Sequence, residues 1–301
     1  MSDKFKAIVL NQSGEKFTRE IKTLDKGFFK TGDTLIKVDY SGLNYKDALI
    51  LNNGAKLVKE YPHIPGIDFS GKVIESDNPE FKSGDNVVVT GCRVGEIYPG
   101  GYSQIAKVKS EFLIKIPKEI SNKNAMALGT AGFTSLLCAF AIKAREELLL
   151  GEKVNDVLVT GATGGVGCMS VMVLSKMGYK VTAVTGKKEQ QEFLTNLGAS
   201  AVISREDLEE IARKPIGKSI WDLGVDVASG DILTLLLTSL SPGGAVACSG
   251  LVGGPSFESS IFPFILRGNA LLGIDSVEIP LEKKSEIWQR FSSDWKLDLS
   301  G

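Results

Sequence analysis

The sequence predicts a two-domain α/β protein, in which a β-rich domain precedes a doubly wound parallel sheet. One observation is a series of short apolar runs separated by Gly, Asp and Asn turns over residues 1–118. Another is the regular alternation of strand-length and helix-length apolar segments over residues 119–301. The length of 301 residues also exceeds that of an ordinary single domain. We therefore place the predicted boundary between residues 118 and 119.

The composition excludes several classes of protein. Lys and Arg number 35 against 36 Asp and Glu, so the charge balance favours neither a nucleic-acid partner nor an anionic membrane. The first residues, MSDKFKAIVL, lack the apolar core of a signal peptide. The four cysteines show no CxxC spacing, and the chain has a single histidine, which excludes a site with two histidine ligands. We expect a reduced, cytoplasmic protein.

The first predicted domain consists of short strands. Turn residues such as Gly32-Asp33 and Gly84-Asp85 separate them, and this close spacing is typical of a barrel-like or sandwich domain. The predicted strands are residues 7–10, 34–40, 71–76, 86–91, 103–108 and 112–117.

The second predicted domain alternates strands with helices, which indicates a parallel sheet. Ser121 is a predicted N-cap for a helix over 124–130. Further helices are predicted over 132–148, 164–178, 188–198 and 283–295. The predicted strands are 156–161, 180–184, 201–204, 223–228, 245–250 and 270–275.

A glycine-rich turn, TGATGGVG at residues 160–167, joins the first of these strands to the following helix. Its pattern is AxGxxG, with Ala162 in place of the first glycine of a dinucleotide fingerprint. Gly164 would allow the backbone to approach a pyrophosphate, and Gly167 would allow close helix–sheet packing. A P-loop is excluded because Cys168 follows where a lysine is required. The alternative is a tight turn without a ligand.

The second strand ends in VTGKK, residues 184–188. A site for NAD carries an acidic residue here to hold the ribose 2′-hydroxyl, and this sequence has none. Thr185 and Lys187 instead offer a hydroxyl and a cation, which a 2′-phosphate requires. We therefore expect NADP(H) rather than NAD(H). The alternative is that Lys187 and Lys188 merely begin a solvated helix.

Several segments resemble the medium-chain dehydrogenase/reductases, which have a GroES-like catalytic domain followed by a Rossmann domain. Three segments, SGLNYKDAL, FILRG and GIDSV, are similar to the YhdH/YhfP group of quinone oxidoreductase homologues, several of which are acrylyl-CoA reductases. The segments that carry the family resemblance are SGLNYKDALILNNG (41–54), PGIDFSGKV (65–73), FKSGDNVV (81–88), GGYSQIAKV (100–108), LGTAGFTSL (128–136), VTGATGGVG (159–167) and LGAS (197–200).

The resemblance implies a set of cofactor-binding residues. Tyr45 matches a tyrosine beside the nicotinamide, and Lys187 stands where relatives often have arginine at the 2′-phosphate. The implied set is Tyr45, Thr163, Gly164, Gly165, Val166, Thr185, Gly186, Lys187, Arg205, Leu251, Ile265 and Ser276. For Leu251 and Ile265 the alternative is a place in the core.

The sequence departs from the family in two places. Zinc-dependent members carry Gly-His-Glu where Asp68 and Phe69 stand, which implies a zinc-free branch that needs no metal. Relatives usually continue beyond Gly301 with a segment that returns to the catalytic domain. We therefore expect residues 280–301 to begin this return and the chain to be truncated.

The resemblance implies an NADPH-dependent reductase that transfers hydride to an activated C=C bond, with a short 2-enoyl-CoA such as acrylyl-CoA as substrate. Tyr45 is the expected hydrogen-bond donor, and Asn44 and Asp47 lie beside it in sequence. The alternative enzyme is an NADPH quinone reductase, and the non-enzymatic alternative is an NADPH-binding protein. We expect His63 to be a loop residue rather than an acid.

Two further expectations concern partners. Lys46, Arg145 and Arg267 are either contacts for the phosphates of a CoA tail or ordinary surface charges. The segment ALLGID at 270–275 is expected to be the last strand of the parallel sheet, at its edge. An apolar edge strand invites pairing with another chain, so we expect a homodimer.

Overall fold

The computed structural model describes residues 4–53, 56–149, 155–212, 216–293, 295, 297 and 299. They form two compact units, one of Met1–Phe133 with Ser276–Gly301 and the other of Thr134–Asp275. The division lies later than the predicted boundary after residue 118, because the start of the following helix is bonded to the first unit. There the Ser70 hydroxyl donates to the Asn122 carbonyl at 2.7 Å, and the Asn122 amide donates to Asp39 at 2.7 Å.

The first unit contains an antiparallel hairpin and a five-stranded antiparallel sheet. The hairpin pairs Lys4 with Asp25 and Ser13 with Lys16. Its second strand was not predicted because its side chains are mostly exposed and its sequence, KFTREIKTLD, is largely polar. The strands are β1 (Lys4–Ser13), β2 (Lys16–Asp25), β3 (Thr34–Ser41), β4 (Asp68–Ser76), β5 (Asn86–Thr90), β6 (Ile105–Val108) and β7 (Ile114–Lys115). The order of strands in the sheet is β6-β3-β4-β5-β7.

Two short helices belong to this unit, α1 (Tyr45–Leu51) and α8 (Leu281–Arg290). Apolar side chains of the five-stranded sheet form its main core, among them Ile36, Phe69, Val73, Val87 and Val89. Because alternate residues of a strand point to opposite faces, the strand pattern of the sequence places these side chains together on one face.

The long helix α2 (Asn122–Leu149) is interrupted at Gly129, where φ is 49° and ψ is −155°. The two predicted helices are thus one segment with a break at a glycine. Ser121 accepts a hydrogen bond from the Asn124 N–H at 3.1 Å, as expected of an N-cap. The part of α2 from Asn122 to Glu146 is apolar and long enough to cross a membrane. However, 67% of its most apolar 18-residue stretch is buried, as in the core helix of a folded domain.

The second unit is built on a six-stranded sheet of order β10-β9-β8-β11-β12-β13, in which every pair is parallel. This is the strand order of a Rossmann fold, so the predicted doubly wound sheet is confirmed. The strands are β8 (Asp156–Val159), β9 (Lys180–Val184), β10 (Ala201–Ile203), β11 (Trp221–Asp226), β12 (Leu240–Cys248) and β13 (Ala270–Gly273).

The helices of the second unit are α3 (Gly165–Lys176), α4 (Gln191–Asn196), α5 (Arg205–Ile211), α6 (Asp231–Ser239) and α7 (Phe262–Arg267). The order reverses beside β8, between the β9 side and the β11 side of the sheet. Ligands of such sheets bind at the carboxyl ends of the strands near this reversal. The glycine-rich turn lies there, directly after β8.

Candidate functional site

The glycine-rich turn connects the end of β8 to the start of α3. Gly161 has a φ of 56°, which favours glycine, and its carbonyl accepts a hydrogen bond from the Gly164 N–H at 2.9 Å. At Gly167 an added Cβ would lie 2.2 Å from the Gly161 carbonyl oxygen, a distance that excludes any side chain. The first N–H groups of α3 have no carbonyl partner within the helix, so they are available to a phosphate.

A buried carboxylate is bonded to the residue at the start of this turn. Asp226, at the end of β11, accepts hydrogen bonds from the Thr160 hydroxyl at 2.6 Å and the Ser229 N–H at 2.8 Å. The same hydroxyl accepts from the Val227 N–H at 3.2 Å. These bonds join the ends of β8 and β11. Sequence reasoning missed Asp226, although an acidic residue within an apolar strand is a signal of a buried, bonded group.

The residues predicted to hold the 2′-phosphate lie together at the ends of β9 and β10. The Thr185 hydroxyl accepts from the Lys187 N–H at 3.1 Å and lies 3.4 Å from the Thr163 hydroxyl. The Arg205 side chain passes over Gly186, where an added Cβ would lie 3.6 Å from Nε and 3.8 Å from Cζ. Lys187 and Arg205 are both exposed.

The acidic residue Asp207, close to Arg205 in sequence, is bonded within the start of its own helix. Ser204 and Asp207 bond each other at the start of α5, where the Ser204 N–H donates to the carboxylate at 2.8 Å and the Asp207 N–H donates to the hydroxyl at 3.1 Å. These bonds hold the pKa of Asp207 below its usual value. The remaining donors, a hydroxyl and two cations, fit a phosphate better than a ribose hydroxyl pair.

The predicted apolar contacts of the cofactor are not core residues. Leu251, after β12, exposes 52% of its surface, and Ile265, on α7, exposes 66%. The loop of Leu251 returns toward β11, since the Gly253 N–H donates to the Ala228 carbonyl at 2.7 Å. Both side chains therefore remain accessible on the second unit.

Tyr45 is the first residue of α1 in the first unit and exposes 52% of its surface. The preceding Asn44 donates to Asp47 from its N–H at 2.9 Å and from its side-chain amide at 3.1 Å. The other Asp47 oxygen accepts from the Ile67 N–H at 2.9 Å, and burial raises the pKa of this carboxyl. Asp47 therefore fixes the start of the helix that carries Tyr45.

Asp68, in β4, bonds two other segments of the first unit, the loop before α1 and the helix after Gly129. One carboxylate oxygen accepts from the Gly42 N–H at 3.1 Å. The other accepts from the Asn44 amide at 3.0 Å and from the Thr130 N–H at 2.9 Å. Thr130 directly follows the break at Gly129, so the carboxylate caps the resumed helix. Sequence reasoning noted Asp68 only as a departure from the zinc-dependent pattern.

The residues around Asp68 do not resemble a metal centre. Phe69 is fully buried in the core of the sheet. The ring nitrogen Nε2 of His63 lies 2.8 Å from the Gly95 carbonyl oxygen, and burial lowers the pKa of the ring. Over the residues that the structure describes, no three His, Cys, Asp or Glu side chains form a group that could hold a metal ion. A metal-free reaction remains a prediction.

Ser276 belongs to the first unit, like Tyr45, whereas the other predicted site residues lie in the second. The backbone at Ser276 and Val277 packs against Gly91, where an added Cβ would lie 3.0 Å from the Ser276 carbonyl oxygen. The Cys92 N–H donates to the Val277 carbonyl at 3.4 Å. The segment after β13 is thus tied to the loop after β5.

The cations considered for a CoA tail have protein partners. Lys46 pairs with the buried carboxylate of Glu96 at 2.9 Å. Arg267 donates to the carbonyls of Thr238 at 3.1 Å and Leu240 at 2.7 Å. Arg145 donates to the Gly268 carbonyl at 2.6 Å. These bonds favour structural roles for the three cations.

Comparison with known proteins bears on the identity of the chain. Residues 30–118 match the model of the alcohol dehydrogenase GroES-like domain, and residues 165–293 match that of the zinc-binding dehydrogenases. The acrylyl-CoA reductase AcuI of Ruegeria pomeroyi is 41% identical over 98% of this chain and 89% of its own length. YhfP of Bacillus subtilis, named as a quinone oxidoreductase, is 43% identical over 99% of this chain and 89% of its own.

The chain belongs to the YhdH/YhfP group of medium-chain dehydrogenase/reductases. Two solved structures of this group match it along almost its whole length. The YhdH oxidoreductase of Salmonella enterica, in complex with NADP, has a TM-score of 0.90 and 38% identity and covers 96% of this chain and 88% of its own. B. subtilis YhfP with NAD bound has a TM-score of 0.92 and 42% identity and covers 99% and 89%.

Proposed function

We propose that this protein is an NADPH-dependent reductase that transfers hydride to the C=C bond of a short 2-enoyl-CoA such as acrylyl-CoA. The observation that carries the proposal is the pairing of the AxGxxG turn with Lys187 and Arg205 at the ends of neighbouring strands. The substrate class comes from the likeness to an acrylyl-CoA reductase along 98% of this chain.

The choice of cofactor depends on this chain's own residues, since one related structure holds NADP and another holds NAD. At the end of β9 the chain has Thr185, Gly186 and Lys187 and no acidic residue. The Arg205 side chain adds a second positive charge above Gly186. Two cations and a hydroxyl stabilise a phosphate dianion, whereas a ribose hydroxyl gains little from them.

In the proposed mechanism the turn Thr163–Val166 holds the pyrophosphate with the N–H groups at the start of α3. The 2′-phosphate would be held by Thr185, Gly186, Lys187 and Arg205, and the nicotinamide half would contact Leu251, Ile265 and Ser276. NADPH, when bound, would supply the hydride that adds to the β-carbon of the enoyl thioester, and a proton from solvent would add to the α-carbon to complete the reduction. Tyr45 donates a hydrogen bond to the thioester oxygen, where negative charge develops as the enolate forms.

The second candidate is an NADPH quinone reductase, which the name of the YhfP relative favours. In that reaction Tyr45 would face a quinone oxygen in place of the enolate oxygen. The third is a protein that binds NADPH without turnover. All three use the same cofactor residues, so the substrate decides between them.

The test mixes the full chain with NADPH and either acrylyl-CoA or a simple benzoquinone and follows the absorbance of NADPH. We expect faster oxidation with acrylyl-CoA. Oxidation with the quinone alone would favour the second candidate, and binding of NADPH without oxidation would favour the third. In the Tyr45→Phe variant we expect kcat with acrylyl-CoA to fall by about 10²-fold, a loss typical of a missing oxyanion donor, with little change in NADPH affinity.

We also propose a cytoplasmic homodimer without a metal ion. The strand β13 lies at the edge of the parallel sheet, as predicted. Just before it, α7 exposes Phe262 and Ile265, and its N-cap residue Ile261 is also exposed. A second copy that pairs with this edge would continue the sheet and cover apolar surface. Light scattering that gives a mass near 32.3 kDa at micromolar concentration would reject the dimer. Leu272→Lys should convert a dimer into a folded monomer.

A further inference from the structure

Lys284, on α8, is a lysine buried in the first unit, with only 1% of its surface exposed. Its Nζ donates to the carbonyl oxygens of Thr90 and Val277, each at 3.0 Å. The next neighbour of the amine is the Sγ of Cys92, at 3.1 Å. An ammonium carries three protons, so the two carbonyls leave the third directed at the sulfur.

Cys92 is the only one of the four cysteines placed beside an amine in the described part of the chain. It follows β5 with a φ of 53°, in the left-handed region, and is partly exposed. Its side chain lines a cavity of about 550 Å³ together with Arg93, Tyr98, Phe112 and Glu278. A small oxidant in solution can therefore reach the sulfur, and Lys284 lines the same cavity.

The other cysteines are less suited to oxidation, because the thiolate is the reactive form. Burial raises the pKa of Cys138 to about 12. Burial, with the nearby Asp226 carboxylate, raises the pKa of Cys248 to about 11. Burial also raises the pKa of Cys168 above its usual value. In the experiment described below, these three cysteines serve as internal references for the oxidation of Cys92.

We propose that Cys92 and Lys284 are an oxidation-sensitive pair that closes to a covalent sulfur–nitrogen bond in the presence of a peroxide. The thiol first reacts with hydrogen peroxide to give a sulfenic acid and one water. The Lys284 amine, after releasing its ammonium proton, then attacks the sulfur. The S–N bond forms, the S–O bond breaks, and the hydroxyl leaves with an amine proton as a second water. Sulfur is oxidised by two electrons and the peroxide is reduced by two.

The cross-link would change the bonds that hold the C-terminal segment. The linked nitrogen keeps a single proton, so it can donate to only one of the two carbonyls, Thr90 or Val277. Oxidation would thereby alter the packing beside Ser276 while joining α8 to the end of β5. This inference does not depend on the proposed reductase activity.

The experiment treats the full chain with a small excess of hydrogen peroxide, blocks the remaining thiols with iodoacetamide, and maps the tryptic peptides by mass spectrometry. We expect the Cys92 peptide joined to the one that contains Lys284, two hydrogens lighter than their sum. Reduction with dithiothreitol should separate the two. The species should be lost in Cys92→Ser and kept in Cys168→Ser.

Lys284→Arg keeps the donors to the carbonyls but removes the amine, and Lys283→Arg is the matched control at an exposed, ion-paired lysine. With dimedone present, Lys284→Arg should accumulate trapped sulfenic acid at Cys92, and Lys283→Arg should behave as the unmodified chain. A circular dichroism spectrum establishes that each variant is folded. Cys92 oxidised to sulfinic acid without any linked peptide, or a Cys92 that stays reduced, would overturn the proposal.

Discussion

Each unit of the molecule has a buried aspartate that joins separate segments beside predicted site residues, and Asp226 and Asp68 do so differently. Asp226 joins the ends of two adjacent parallel strands and braces the glycine-rich turn through Thr160. Asp68 joins two segments that are distant in sequence, the loop of Gly42 and Asn44 and the helix that resumes at Thr130. Asp226 strengthens an arrangement that the parallel sheet already imposes. Asp68 instead holds together segments that no strand pairing joins.

This difference predicts that loss of Asp68 lowers the free energy of unfolding more than loss of Asp226 does. In Asp68→Ala, two backbone N–H groups and an amide lose their acceptor, and we expect the free energy of unfolding to fall by about 3 kcal/mol or more. In Asp226→Ala, one N–H is left without a partner and the Thr160 hydroxyl can reorient, so we expect a loss of about 1–3 kcal/mol. Urea titrations of both variants measure which of the two losses of stability is larger. An equal or larger loss for Asp226→Ala would contradict the comparison.

Within the glycine-rich turn, two substitutions separate packing from cofactor contact. Gly167→Ala places a Cβ against the Gly161 carbonyl and should destabilise the second unit by about 1–3 kcal/mol. Gly164→Ala would place its Cβ 3.3 Å from the Gly161 carbonyl oxygen, a tight contact that a small shift relieves, and the backbone angles are ordinary, so stability should fall less than in Gly167→Ala. We expect the added methyl to obstruct the proposed pyrophosphate position, so NADPH binding should weaken about tenfold or more. Thermal unfolding and fluorescence titration measure the two effects. Unchanged NADPH affinity in Gly164→Ala would contradict this placement of the cofactor.

The smallest effect concerns His63, which lies buried in the first unit. Its folded pKa is below the usual 6.5, because burial disfavours the charged ring. The unfolded chain therefore takes up a proton first as pH falls below about 6.5, and stability decreases, by at most about 1.4 kcal/mol per pH unit. Stability measurements at pH 7 and 5 on the chain and on His63→Gln check the contribution. Since the chain has one histidine, its ring signal in NMR reports the pKa without ambiguity. A ring that titrates at or above 6.5 would contradict the burial argument.

The same difference between regular sheet and irregular backbone explains which features of the structure could be predicted from the sequence. All six strands of the parallel sheet were predicted, because buried parallel strands are continuous apolar runs with glycine turns between them. The glycine-rich turn and the approach of Arg205 to Gly186 follow from that topology. The bonds of Asp47 and Asp68 do not, because segments far apart in sequence meet there through irregular backbone. The pair Cys92 and Lys284 is separated by 191 intervening residues and has no sequence signal of its own.

The most direct test of the account is the affinity of the full chain for NADPH and NADH, measured by calorimetric titration. We expect tighter binding of NADPH, and a loss of about tenfold to a hundredfold for NADPH alone in Lys187→Ala and in Arg205→Ala. The matched control is Lys180→Ala, at the exposed opposite end of β9, which should bind both cofactors as the unmodified chain does. Equal dissociation constants for NADPH and NADH, or equal losses for both cofactors in the Lys187 and Arg205 variants, would contradict the assignment of the 2′-phosphate site.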